Sequence, residues 1–401
     1  MCFSALSSIN VGAYLVLLAW CAVAQTGDAR LVSTIFMLSL VLGAVAANIA
    51  GLLSDGSNTR NLLLAANGLR SIGAILLFAA LAGQVYVVTA LVTFAAIRTL
   101  GNAIIVTAGA VAFQQTFDED IRTKRIAEVG IIRQAGIAIG TGLTGLLIAW
   151  QGVAVTAFIL AVVTLTQTPL ILAFTNKDDI ASAERACTSP RALLQRWIRG
   201  FDYLRRNRSV LFALIILSAT FSVAQLTNVL VPVFVKNDLS SAASVYGALE
   251  MAWAIGGALV LLVARLFLPA HPHLNLALIC LALTGIAMAI FALERRIWAL
   301  VLMYGVLGGL FCLTRLISDS RILIETETEV VGRVRAINLL LTNGIGITIF
   351  ALPFVVSTER VTGIYIAWGV TLLLLSLIIA YVKTSIELRT RVNTISSKDT
   401  S

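Results

Sequence analysis

The chain has 401 residues, of which 59% are hydrophobic and only 12% are charged. A water-soluble protein of this length must display more polar surface, so the composition excludes that class. The net charge is +9, but the basic residues fall in alternate loops between apolar runs. That pattern indicates membrane topology and argues against a nucleic-acid partner.

Apolar runs of about 18 to 25 residues recur along the chain and predict transmembrane helices, because only a helix satisfies its own backbone hydrogen bonds in lipid. The sequence predicts an all-α membrane protein with twelve transmembrane helices. No cleavage signal follows the first run, which favours a retained helix. The predicted spans are 5–24, 31–53, 62–82, 86–113, 126–149, 153–174, 209–235, 243–267, 274–293, 297–320, 337–356 and 361–382.

The basic residues between spans predict the orientation. Arg60 lies between spans 2 and 3, Arg125 between spans 4 and 5, Arg335 between spans 10 and 11, and Lys383 after span 12. By the positive-inside rule these segments and both termini are cytoplasmic, in a bacterial inner membrane. The Glu-Arg-Arg run at 294–296 departs from this pattern, because it falls on the predicted outer side.

One long polar segment divides the chain into six plus six spans. It holds eight Lys or Arg and four Asp or Glu, and Ser189 with Pro190 predicts the start of an amphipathic helix on the cytoplasmic leaflet. The two halves predict pseudo-symmetric six-helix bundles. The predicted divisions are an N-terminal bundle at 1–175, a basic linker at 176–208, a C-terminal bundle at 209–382 and a polar tail at 383–401.

The loop between spans 2 and 3 carries Gly51, Asp55 and Arg60. A glycine allows close helix approach, and an aspartate and an arginine at helix ends can form a cytoplasmic charge network that holds one conformation. The spacing resembles a signature of the major facilitator superfamily of transporters. This resemblance implies a gating role for the three residues, whereas a simple topogenic loop is the alternative.

Span 5 carries a second pattern of small residues, with Gly136, Gly140 and Gly145. It is similar to a motif of exporters of the same superfamily, although Thr141 stands where proline is expected. The resemblance implies an antiporter in which these glycines serve conformational gating. Generic packing of small residues between membrane helices is the alternative.

Three further stretches resemble the macrolide- and enterobactin-exporter branch of that superfamily: 67–70 in span 3, 246–257 in span 8 and 332–334 before span 11. The prolines and the asparagine expected in spans 4 and 10 of that branch are missing. The resemblance implies a major facilitator fold, monomeric, that moves substrate by alternating access of two bundles. The five cysteines show no CxxC spacing, so no metal and no cofactor are expected.

Basic residues outnumber acidic ones inside the predicted spans. Span 4 carries Arg98, which is similar to the superfamily's buried arginine, and Asn102; span 3 carries Arg70 and span 5 carries Arg133. A guanidinium forms bidentate hydrogen bonds with a carboxylate or phosphate, so Arg98, Asn102 and Arg133 are predicted to bind an anionic substrate. The alternatives are an arginine bonded to backbone carbonyls of a neighbouring helix and a broad hydrophobic cavity.

The acidic residues inside the predicted spans indicate that the coupling ion is a proton. Glu250 lies in an apolar stretch of span 8 and is predicted to carry a proton. Asp319 and Arg315 lie one helical turn apart in span 10 and are predicted to take part in proton coupling. A structural ion pair is the alternative for Asp319 and Arg315, and a polar partner on another helix is the alternative for Glu250.

These features predict export of a small anionic or amphipathic metabolite, such as a siderophore, by proton antiport across the lipid bilayer. A multidrug or macrolide efflux pump, an importer, a lipid flippase and a non-transporting membrane receptor are the alternatives. The sequence carries no nucleotide-binding or nucleophile motif, so an enzyme is not expected.

Overall fold

The computed structural model describes residues 2–54, 59–116, 119–173, 203–267, 269, 272–356 and 361–398. Within these ranges the chain is almost entirely helical and contains no strand. The predicted all-α class is therefore confirmed. The predicted amphipathic helix after Ser189 and the loop residue Asp55 lie outside the described residues.

The helices follow one another with short connections. They are α1 Cys2–Thr26, α2 Ala29–Ser54, α3 Thr59–Gly83, α4 Val87–Thr116, α5 Glu119–Leu165, α6 Gln167–Leu172, α7 Arg208–Val233, a π-helical turn Phe234–Asp238, α8 Ala243–Phe267, α9 Leu274–Leu293, α10 Ile297–Glu325, α11 Thr328–Val355 and α12 Val361–Lys398.

Eleven segments of the described chain are long and apolar enough to cross a membrane. One of them, Glu128–Leu172, has 45 residues, about twice the length that a bilayer core requires. The backbone breaks inside it at Gly152, where φ is 81° and ψ is 174°. Glycine tolerates this positive φ, and the break separates predicted spans 5 and 6, so the eleven segments account for twelve spans.

Several helices extend beyond the predicted spans, and this corrects the placement of three basic residues. Arg60 lies inside α3, Arg125 inside α5 and Arg335 inside α11, although all three were predicted in loops. Hydropathy detects only the part of a helix that lies in lipid. The backbone hydrogen bonds of a helix continue into water wherever the next residues are good helix formers.

The chain divides into two compact units. The first comprises residues 1–188, 225–258 and 346–359, and the second comprises 189–224, 259–345 and 360–401. The prediction that the chain forms two six-helix bundles in sequence order, at 1–175 and 209–382, stays a prediction.

In the first unit, α1 is buried along most of its length. Its buried residues occupy every side of the helix and are apolar except for Ser8 and Asn10, as expected for a helix enclosed by others. Its backbone crosses α5 so closely that a Cβ added at Gly136 would lie 2.7 Å from Cβ of Ser8. In the second unit, α9 and α12 cross in the same way, and a Cβ at Gly285 would lie 3.1 Å from the backbone nitrogen of Leu373.

Candidate functional site

Arg98 on α4 is half-buried and is only partly satisfied by the protein. Its Nη2 donates a hydrogen bond to the carbonyl of Val11 at 3.2 Å, and its guanidinium lies 5.6 Å from the ring centroid of Tyr14. Its Nε is buried and makes no hydrogen bond. The alternative interpretation, an arginine bonded to a backbone carbonyl of a neighbouring helix, therefore accounts for only one N–H donor of Arg98. The buried Nε can still donate a hydrogen bond to a ligand.

A second guanidinium, that of Arg70 on α3, lies next to Arg98. Arg70 is 2% exposed, and both of its Nη atoms are buried without a hydrogen-bond partner. Its stem lies against Gly101, where an added Cβ would be 2.6 Å from Cγ of Arg70. Gly101 follows Arg98 by three residues on α4, so both arginines meet one face of that helix, and they interact electrostatically with each other.

The two arginines place uncompensated positive charge inside the first unit. Among the described residues, no carboxylate forms an ion pair with Arg70 or Arg98. A buried guanidinium without a counter-charge is costly, and unmet buried donors add to that cost. A carboxylate or phosphate that met both groups would remove both costs, so the arrangement is suited to binding an anion.

Tyr14, which lies beside Arg98, connects the arginine pair to polar side chains of α1, α3 and α5. Nδ2 of Asn10 donates to Oγ1 of Thr164 at 2.9 Å, and Nδ2 of Asn67 donates to the carbonyl of Thr164 at 3.1 Å. The hydroxyl of Tyr14 lies 3.4 Å from Oγ1 of Thr164. The side-chain oxygens of Asn10, Asn67 and Gln167 are buried without a hydrogen-bond partner. The first unit therefore has a polar interior with unmet donors and acceptors, as expected around bound water or a ligand.

Of the other two predicted substrate residues, Asn102 lies on the side of α4 that carries Arg98, and Arg133 does not lie near the pair. Asn102 is half-buried on α4, one turn beyond Arg98 and on the same side of the helix. Arg133 is exposed on α5 and makes no contact with the arginine pair in the part of the chain that the structure describes. Sequence reasoning missed Asn10, Tyr14 and Thr164, because a lone polar residue in an apolar helix carries no motif.

The glycines of span 5 serve two different helix contacts. Gly136 and Gly140 pack against α1, whereas Gly145 packs against α8, where its added Cβ would lie 2.7 Å from both the carbonyl oxygen of Ala243 and Cα of Gly247. Gly51 and Arg60, which were predicted in the loop between spans 2 and 3, lie in helices: Gly51 near the end of α2 and Arg60 in the first turn of α3.

A further set of contacts in the first unit surrounds the end of α1. The π-helical turn at 234–238 places Nζ of Lys236 at 5.6 Å from the ring centroid of Trp20. Nδ2 of Asn237 donates to the carbonyl of Gly27 at 2.8 Å. Trp20 also stacks on Tyr246 of α8 with centroids 6.4 Å apart. These residues join α1, α7 and α8, and no sequence motif pointed to them.

The acidic candidates lie in separate units. Glu250 on α8 is 6% exposed and belongs to the first unit. In the second unit, Asp319 forms an ion pair with Arg315, whose Nε lies 3.6 Å from Oδ2, and a second, short contact with Arg335 of α11. Arg335 was interpreted as a topological charge only, because its sequence position gave no signal of a partner on α10.

The sequence model of the Major Facilitator Superfamily matches residues 1–351. The solved structure of nucleoside transporter NupG is similar, with a TM-score of 0.73 at 15% identity over 94% of this chain and 96% of NupG. Peptide transporter POT in complex with sulfate gives a TM-score of 0.72 at 14% identity over 96% of this chain and 93% of POT. At these identities the likeness shows the fold. None of the curated proteins matches the sequence.

Proposed function

Because the chain belongs to the Major Facilitator Superfamily of membrane transporters, we propose that it is a secondary active transporter that exports a small anionic metabolite by proton antiport. Arg70 and Arg98 bind the anionic group in this proposal. The resemblance of the sequence to the macrolide- and enterobactin-exporter branch supports the direction of transport.

One observation supports the proposal of an anionic substrate. Two neighbouring guanidiniums lie in an apolar bundle, with hydrogen-bond donors that have no partner and no paired carboxylate among the described residues. Half-buried Arg98 makes the first contact with the substrate, and Arg70 lies behind it. The planar forks of the two arginines suit a carboxylate or a catecholate, which accept two hydrogen bonds side by side.

Proton coupling rests on the buried carboxyl of Glu250. A carboxyl in an apolar helix can change its protonation without leaving the membrane, whereas an exposed one would stay ionised. The carboxylate of Asp319 instead forms ion pairs with Arg315 and Arg335 in the second unit. We therefore assign the proton to Glu250, and assign Asp319 to an ion-pair network that changes during the transport cycle.

Transport into inverted membrane vesicles under an imposed pH gradient tests the proposal. The substrates are an iron-chelating polycarboxylate, a catecholate and a cationic dye. The variants are Arg98→Ala, Arg70→Gln and Glu250→Gln, and Arg205→Ala is the matched control, because Arg205 is exposed at the edge of the linker. We expect gradient-driven uptake of an anion that falls at least tenfold in the three variants and is unchanged in the control.

Two outcomes would contradict the proposal in different ways. Dye transport that survives Arg98→Ala, without transport of either anion, would make the protein a multidrug efflux pump. Accumulation of an anion in right-side-out vesicles under an inward proton gradient, without uptake by inverted vesicles, would make it an importer.

A further inference from the structure

A groove lies in the second unit, where α8 and α10 end. It has a volume of about 320 Å³ and is lined by Leu261, Arg265, Pro269, Pro272, Leu316 and Ser320. All of these residues belong to the same compact unit. One part of the wall is aliphatic, and the other presents a guanidinium and a hydroxyl.

Arg265 gives the groove its charge. The side chain is exposed, and in the described ranges it makes no hydrogen bond and no ion pair. It lies in the last turn of α8, where the negative end of the helix dipole favours a cation. Asp319 neighbours Ser320 along α10, but its carboxylate contacts Arg315 and Arg335. The charge that an incoming ligand meets is therefore positive.

The surface around the groove is apolar. Large apolar side chains flank Arg265 on the same end of α8, with Leu262 59%, Leu266 71% and Phe267 79% exposed. A membrane protein exposes such side chains to acyl chains, and an arginine at the end of the same span lies at the level of the lipid headgroups. A water-soluble anion would need only the guanidinium, whereas the aliphatic wall also fits a hydrocarbon chain.

We propose that this groove binds one anionic phospholipid of the adjoining leaflet. The phosphate contacts Arg265 and accepts a hydrogen bond from the Ser320 hydroxyl. An acyl chain lies along Leu261 and Leu316. Attraction of an anionic headgroup by one basic residue near the surface contributes about 1 kcal/mol, which corresponds to about a fivefold preference over a zwitterionic lipid.

Native mass spectrometry of the full chain tests this proposal. The protein is released from nanodiscs that contain equal amounts of phosphatidylglycerol and phosphatidylcholine. We expect wild type to retain one phosphatidylglycerol with about a fivefold preference, which Arg265→Gln abolishes and Arg265→Lys keeps. Arg205→Gln, which removes an exposed arginine outside the groove, is the matched control and should retain the lipid.

Two further measurements make the result decisive. Thermal unfolding in detergent shows that the Arg265 variants are folded as wild type, and inorganic phosphate is added as a competitor. Equal retention of the two lipids by wild type, or unchanged retention in Arg265→Gln, would overturn the proposal. Displacement of the lipid by millimolar phosphate would assign the site to a soluble anion instead. None of these readouts depends on transport.

Discussion

Arg70 illustrates how one small neighbour can place a charged side chain. Its stem occupies the space that a side chain at Gly101 would fill, with Cγ only 2.6 Å from the position of an added Cβ. Alanine at Gly101 would therefore push the guanidinium away from Arg98 or force α3 and α4 apart. Overpacking of this kind costs about 1 to 3 kcal/mol.

We predict that Gly101→Ala lowers anion transport at least fivefold and lowers the midpoint of thermal unfolding. Gly109→Ala on the same helix is the control, since an added Cβ there meets nothing within 4 Å. Transport in vesicles and unfolding in detergent measure the two effects. A Gly101→Ala variant that behaves like Gly109→Ala would show that the position of Arg70 does not matter for the substrate.

Glu294 lies in the short connection between α9 and α10. Its Oε1 accepts hydrogen bonds from the backbone N–H groups of Arg295 and Arg296, each at 2.9 Å. These two bonds, together with the charge of Arg296, hold the pKa of Glu294 below its usual value. The ionised carboxylate thereby fixes the backbone of the short connection just before the first residue of α10, Ile297.

The lowered pKa of Glu294 determines how its contribution to the stability of the protein changes with pH. Glu294 contributes stability above the pKa of an unfolded glutamate, and this contribution is lost as the pH falls through the lowered folded value. We predict that Glu294→Gln unfolds at a lower temperature than wild type at neutral pH and that the difference vanishes in acid. Glu327→Gln, at an exposed glutamate, is the control. A difference that persists in acid would show that the charge of Glu294 does not stabilise this connection.

At the scale of elements, the two faces of α5 have different partners. Gly145 meets Gly247 on α8, and an alanine at Gly145 would place its Cβ 2.7 Å from the carbonyl oxygen of Ala243. A backbone oxygen cannot move away as a flexible side chain can, so α5 and α8 must separate.

We predict that Gly145→Ala destabilises the packing of α5 on α8 by about 1 to 3 kcal/mol. Gly130→Ala, also on α5 but with open space around the added Cβ, is the control. Thermal unfolding reports the stability, and the reactivity of a cysteine introduced at Ala243 reports the separation of the helices. If Gly145→Ala lowers the stability but leaves the reactivity of the introduced cysteine unchanged, the loss of stability does not come from separation of α5 and α8.

The π-helical turn after α7 has a specific consequence for the neighbouring side chains. A π-turn accommodates one extra residue and rotates the residues after it, and here it brings Lys236 over Trp20 and Asn237 to the carbonyl of Gly27. Gly27 has a φ of +67° just after α1, and its carbonyl receives the amide of Asn237. Two weak contacts thus join α7 to the end of α1.

A double-mutant cycle measures the first of these contacts. We predict a coupling energy of about 0.5 to 1 kcal/mol between Lys236→Ala and Trp20→Leu in the free energy of unfolding, the usual size of an ammonium–indole contact. Trp150 is 82% exposed and serves as the control position for Trp20. Equal coupling of Lys236→Ala to Trp20→Leu and Trp150→Leu would show that the contact contributes nothing.

For the whole molecule, the membrane made the spans predictable, because lipid forces every buried backbone group into a helix. The break at Gly152 and the start of α10 at Ile297 agree with the predicted spans. The Glu-Arg-Arg run that departed from the charge rule has a local explanation. Arg295 donates a hydrogen bond to the carbonyl of Ala292 at the end of α9, so part of this charge serves a helix end.

The site was less predictable, since its residues meet only in three dimensions. Arg98 was found because a charge near the bilayer midplane is conspicuous in a sequence. Its neighbours Tyr14 and Thr164 belong to α1 and α5, and nothing in a linear pattern states which helices touch. For the same reason, the sequence did not predict the contact between Asp319 and Arg335, which lie on different helices.

Transport by the whole molecule separates two steps that the proposal assigns to different residues. In this proposal, binding of the anion requires Arg98 and Arg70, whereas net movement against a gradient also requires a proton carrier. Exchange of labelled for unlabelled substrate needs only the first step and the conformational change. A variant without the proton carrier should therefore exchange substrate but fail to accumulate it.

We predict that Glu250→Gln keeps substrate exchange within about twofold of wild type and loses accumulation driven by a pH gradient, because glutamine binds no proton and preserves the shape of the side chain. Arg98→Ala should lose both activities. Vesicles loaded with substrate measure exchange, and empty vesicles measure accumulation. Accumulation that survives in Glu250→Gln would move the proton to another group, and loss of both activities would give Glu250 a role in substrate binding or in packing α8.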